Sequence, residues 1–185
     1  MKKILSLLLA MAIVCSLTVT AAAAEPDADL TGSIILLHTN DVHGAVDGYA
    51  KAAALKETYE KMGAYVLLMD AGDFIQGEPA VGISEGANAV ELMNLAGYDV
   101  AAPGNHEFDY GYDTLKKLEK AAEFPLLSAN VQYKGKAAFA DNLIFTAPNG
   151  TKLGVFGLTT PESATKVHPG KIKNVTFLAG EELAA

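Results

Sequence analysis

The sequence has 185 residues, with 14 basic residues that are all lysine, 22 acidic residues and a formal net charge of −8. An acidic chain without arginine is a poor candidate for gripping a nucleic acid polymer through its phosphates, and it lacks the bidentate guanidinium fork that usually holds phosphate. An anionic substrate would have to be held by metal ions or by another domain.

Lys2 and Lys3, the apolar run from Ile4 to about Val19 and the small residues Ala21 to Ala24 have the layout of a secretory signal peptide, cleaved after Ala22 to Ala24. The apolar run is short for a span of about 20 residues, so no stable membrane anchor is expected. Val14 stands where a lipid anchor on Cys15 would call for a small residue. Cys15, the only cysteine, is expected to leave with residues 1–24, so the mature chain has no disulfide although its compartment allows one. The predicted location is extracytoplasmic: secreted, periplasmic or at the cell surface. Residues 25–32, EPDADLTG, read as a flexible polar lead-in.

An alternating pattern follows. SIILLHT (33–39) is a continuous apolar run, as in a strand buried on both faces. Residues 48–63 read as a helix closed by Gly63, and AYVLLMD (64–70) as a second buried strand. A helix over 83–97, a strand over 98–102, a helix over 112–124 and a strand over 125–131 come next. The alternation predicts an α/β domain with a largely parallel sheet. Residues 142–160 predict two strands about the turn at Pro148-Asn149-Gly150. NVTFLAG (174–180) reads as one more strand or the start of a connection.

In open α/β sheets, ligands bind beyond the carboxyl ends of the strands. Asn40-Asp41-Val42-His43-Gly44 follows the first strand, Asp70-Ala71-Gly72-Asp73 with Gln76-Gly77 the second, and Gly104-Asn105-His106-Glu107-Phe108-Asp109 the third. Singly these are weak: an Asp can cap a helix, and Asn105 can form an Asx-turn. Together, three loops gathered at one edge point to a metal or phosphate centre. Asp41 and His43 are two apart, so an extended backbone aims both the same way. Mixed carboxylate, imidazole and amide donors suit Mn²⁺, Zn²⁺, Co²⁺ or Fe²⁺ better than a cysteine-based structural zinc. Two such ions would also let an arginine-free chain handle phosphate.

Other residues have blander readings. Ser128 and Ser163 lack a nucleophile-elbow context, and neither a P-loop nor a dinucleotide fingerprint is present. His38 reads as a hydrogen-bonded core residue, Asn130 as structural, His168 as an exposed loop residue, and Tyr110 and Tyr112 as helix packing.

LLHTNDVHG (36–44), DAGDFIQG (70–77), GNHEFDYG (104–111), LSANV (127–131) and GVFGLTTPE (154–162) together resemble, in order, the N-terminal metallophosphatase domain of the bacterial secreted 5'-nucleotidase family. That family includes UDP-sugar hydrolases and 2',3'-cyclic-nucleotide phosphodiesterase/3'-nucleotidases. The resemblance implies a metallophosphatase-type β-sandwich flanked by helices, a four-layer αββα fold. Residues 33–185 would be its N-terminal part, incomplete at the C-terminus. It implies that Asp41 and His43 bind a first metal, Asp73 bridges two, Asn105 binds the second, and His106, oriented by Asp109, stabilises the transition state. Water activated by the metals would attack a nucleotide phosphate ester, with no protein nucleophile. Glu107 matches the motif but receives no chemistry.

The family's remaining metal ligands and its substrate-binding domain have no counterpart before Ala185. The chain is therefore expected to present an unpaired sheet edge and an exposed apolar face. The alternatives are a cyclic-nucleotide phosphodiesterase, a UDP-sugar hydrolase, or a noncatalytic secreted fragment without a complete metal site.

Overall fold

A computed structural model describes residues 28–183; the expected leader, Cys15 included, lies outside them. Strands and helices alternate: β1 (Ile34–Thr39), α1 (Val46–Lys61), β2 (Tyr65–Asp70), a short α2 (Pro79–Gly82), α3 (Ala87–Ala96), β3 (Val100–Ala101) and α4 (Tyr112–Ala121). β1, β2 and β3 form a parallel sheet in that order, with Thr39 beside Asp70 and Asp70 beside Ala101. Leu30, in the segment read as a lead-in, already donates its N–H to the carbonyl of Met62.

The helix expected over 83–97 begins only at Ala87, and the short α2 precedes the expected span. Pro79 suits the first turn of α2, and left-handed Glu85 (φ 51°) and Gly86 (φ 92°) break the path before α3 begins. Gly97, at φ 73°, closes α3 as a left-handed cap. The strand expected over 125–131 is shorter than its apolar run. Leu126 makes an isolated parallel bridge to Ala101. Regular pairing starts at β4 (Val131–Tyr133), antiparallel to β5 (Lys136–Ala137) and to β8 (Val175–Phe177). The expected hairpin forms as β6 (Asn142–Thr146) and β7 (Lys152–Phe156).

Leu68, Met93, Phe108, Leu115 and Phe177 belong to one buried core, against which Leu37 also packs. The alternation of side chains along β1 and β2 sends Leu37 and Leu68 to this side and their neighbours to the other. On that other side the hairpin lies across the sheet. A cavity of about 350 Å³ is lined by His38, Met69 and Val100 from the sheet and by Val155 and Phe156 from the hairpin.

β2 is buried as expected, with Val66, Leu67 and Leu68 at 3%, 1% and 0% exposure. β1 is not: Leu36 is 53% exposed and His38 is exposed too. The reading of His38 as a core residue is thus corrected. β1 lies at the edge of the sheet, and the hairpin stands off across the cavity that His38 lines, so Leu36 and His38 stay exposed on that side. Ile144, Phe156 and Leu158 are exposed as well, which gives the hairpin side an open apolar surface.

Candidate metal centre

The three strands of the parallel sheet end at one edge, and the loops beyond them are laced together by backbone hydrogen bonds. Ala71 N–H donates to Thr39 O (2.8 Å), Asp41 N–H to Gly72 O (3.0 Å), His43 N–H to Asp73 O (3.0 Å) and Ala102 N–H to Asp70 O (2.9 Å). This lacing holds Asp41, His43 and Asp73 at left-handed φ values of 50°, 48° and 62°. Such a conformation costs on the order of 1 kcal/mol or more per residue and persists where surrounding structure imposes it. Gly72 and Gly104 let the second and third loops touch. A Cβ on Gly72 would strike the backbone of Gly104, and one on Gly104 would strike the carboxylate of Asp73.

His43, Asp73 and His106, one from each loop, bring ligand atoms within 4.8 Å of one another. The rings of His43 and His106 meet edge to face with centroids 5.1 Å apart. Asp41 Oδ1 lies 3.6 Å from His43 Nε2. Asn40 donates to Asp41 Oδ2 at 2.7 Å, and this bond chiefly holds the Asp41 carboxyl below its ordinary value, helped by the charges of His43 and His106. Asn105 is half-buried and immediately precedes His106, opening a 3-10 turn over His106–Phe108. The backbone N–H of His106 donates to Asp73 Oδ1 at 2.8 Å.

His106 Nδ1 lies 2.6 Å from Asp109 Oδ2. A carboxylate only accepts, so Nδ1 carries the proton and Nε2 is free to act elsewhere. Burial works to lower the His106 pKa, but the hydrogen bond and charge of Asp109 outweigh it, with Asp73 and Glu107 adding; the net shift is upward. The cationic ring is therefore favoured. Asp73 and His43, with Asp41 alongside, offer the mixed oxygen and nitrogen donors that fit a divalent ion, and the His106 ring stands beside them. His43 Nδ1 is 3.1 Å from the carbonyl of Gln76, which orients the ring from behind.

Two buried carboxylates frame these loops, and the sequence pattern gives neither a role. Glu107 is fully buried and accepts four backbone N–H groups, from Asp73, Phe74, Ile75 and Gly104. Asp70 accepts the hydroxyl of Thr39 at 2.6 Å and the N–H of Gly72 at 2.7 Å, while Thr39 also meets Tyr98 Oη at 2.8 Å. Burial pushes the Asp70 carboxyl up to about 7, against the pull of those hydrogen bonds. Both carboxylates sit inside motifs legible as polar loops, but a linear pattern does not say which carboxylate turns inward.

Asn130 is structural: its Nδ2 donates to Thr159 O and Leu178 O, and its Oδ1 accepts from Thr159 N–H and Ser128 Oγ. Ser128 and Ser163 are fully buried, which suits neither to nucleophilic attack. His168 is exposed in a turn. Tyr112 stacks on Tyr133 with centroids 4.1 Å apart, and Tyr110 packs against the core.

The calcineurin-like phosphoesterase family matches residues 34–178. A 5'-nucleotidase of Vibrio cholerae is 37% identical over 98% of this chain and 35% of its own. Protein UshA of Escherichia coli is 34% identical over 95% of this chain and 34% of its own. The crystal structure of a 5'-nucleotidase precursor from Thermus thermophilus matches with a TM-score of 0.69 at 31% identity, covering 80% of this chain and 32% of that one. The chain spans about a third of the length of the curated relatives it matches. Its helix layer, parallel sheet and hairpin are part of the metallophosphatase sandwich.

Proposed function

Because the chain belongs to the calcineurin-like phosphoesterase family, we propose that the whole protein hydrolyses phosphate esters of nucleotides at a centre of two divalent metal ions. The observation that carries this reading is the meeting of His43, Asp73 and His106 from three loops, with Asp109 2.6 Å behind His106. Asp41 and His43 would hold one ion, Asn105 would hold the other, and Asp73 would serve both. When bound, such ions lower the pKa of a coordinated water and neutralise phosphoryl charge. His106 donates from Nε2 to a phosphoryl oxygen as negative charge builds there, and Asp109 keeps the ring oriented and favours its charged form. The buried loop backbone holds these groups in place before substrate arrives.

Nucleoside 5'-monophosphates are the leading substrates, since several relatives are named 5'-nucleotidases. Residues 1–24 serve as a leader that delivers the protein outside the cytoplasm, and a substrate-binding domain beyond residue 185 completes the enzyme. The test is hydrolysis of AMP, UDP-glucose and 2',3'-cyclic AMP by the full-length protein with Mn²⁺, Zn²⁺ or Co²⁺. Fastest release of phosphate from AMP supports the 5'-nucleotidase reading. Preference for either other substrate reassigns the enzyme to that branch, and inertness toward all three discards nucleotide hydrolysis.

A further inference from the structure

Glu107 is 0% exposed, yet it belongs to no proposed ligand set. Its Oε2 accepts the N–H of Asp73 at 2.8 Å and of Gly104 at 2.6 Å; its Oε1 accepts those of Phe74 at 2.8 Å and Ile75 at 3.2 Å. Three of these donors are consecutive residues of the loop after β2. The fourth lies in the loop after β3. One anion is thus the common centre of the two loops that present Asp73 and His106.

The chemistry of this arrangement is specific to a carboxylate of this length. Both its oxygens accept, and its bonds from N–H groups are stronger than neutral ones. A glutamine would turn an NH₂ toward one pair of donors, and an aspartate would fall one methylene short. Asp73 has particular need of the hold, because its φ of 62° lies where a side chain crowds the backbone.

Building on the metal-centre reading, we infer that Glu107 is a positioning residue: its buried carboxylate fixes the 73–75 backbone and Gly104 so that Asp73 is aimed at the metal. Metal affinity depends on Glu107 although Glu107 touches no ion.

Calorimetric titration of the full-length protein with Mn²⁺ tests this, comparing wild type, Asp73→Asn, Glu107→Gln and the double variant. Glu107→Gln is expected to bind Mn²⁺ at least tenfold more weakly. The double variant is expected to bind no more weakly than Asp73→Asn alone, because Glu107 acts through Asp73. Leu115→Ala, a truncation in the buried core, is the control: it lowers Tm and leaves Mn²⁺ affinity unchanged. If Glu107→Gln does not fold, Glu107→Asp keeps the charge and carries the same titration. Wild-type affinity in the Glu107 variant, or losses that multiply in the double variant, overturns the positioning role alone. Wild-type affinity in Asp73→Asn overturns the metal-centre reading and this role with it.

Discussion

The backbone N–H of His106 donates to Oδ1 of Asp73 at 2.8 Å. The carboxylate proposed to join two metals therefore also fastens the loop that carries the proposed transition-state residue. Substrate-side and metal-side groups share one rigid junction, so a change at either residue disturbs both.

In the full-length enzyme, Asp73→Asn and His106→Ala are each expected to lower kcat by two or more orders of magnitude. Asparagine is a clean probe at position 73 because it tolerates the left-handed backbone that Asp73 adopts. Steady-state kinetics, with circular dichroism to verify folding, decide the matter. Near wild-type turnover in both variants removes the assigned roles.

Asp109→Asn is expected to move the His106 titration to lower pH. Asparagine keeps a hydrogen-bond acceptor but loses the charge that, with the bond, raises the imidazole pKa. A histidine raised in the folded state stabilises most below its unfolded value of about 6.5 and loses that contribution as pH rises through its folded value. Asp109→Asn should thus destabilise the metal-free protein more at pH 5.5 than at pH 9. Histidine NMR titration and urea denaturation at both pH values measure this; an unmoved His106 midpoint counts against it.

Asp70 makes the opposite kind of test, because its carboxyl is raised to about 7 by burial. Between about pH 4 and 7 the folded protein keeps a proton that the unfolded chain releases, so this group costs stability as pH rises, by at most roughly 1.4 kcal/mol per unit. Asp70→Asn removes the dependence. The Thr39 hydroxyl can accept from the new amide while donating to Tyr98. The variant should gain on wild type as pH climbs from 4 to 7; parallel stability curves would refute the shift.

Asn130→Ala should cost about 2–4 kcal/mol in urea denaturation. It strips the hydrogen-bond partner from Thr159 N–H, buried at 1% exposure, and from the carbonyls of Thr159 and Leu178. Because Thr159 Oγ1 also donates to Pro103 O at 2.7 Å, the loss reaches the loop before Asn105. A cost under about 0.5 kcal/mol would mean water satisfies these groups.

Apolar runs, glycine stops and the order of polar loops already determined the α/β alternation, the hairpin at Pro148-Asn149-Gly150 and the convergence of Asp41, His43, Asp73, Asn105 and His106 at one edge. Those features depend on local chain chemistry and on the single handed way parallel strands connect. Tertiary structure alone decided which side of each strand found cover. IILLH reads as fully buried, yet β1 lies at the edge of the sheet, where the hairpin leaves Leu36 and His38 exposed. It also decided which carboxylates turned inward. Asp109 sits three residues from the histidine it serves, a spacing visible along the chain. Three of the four amides gathered by Glu107 come from a loop more than thirty residues away, and the close approach of Gly72 to Gly104 holds that loop against its own.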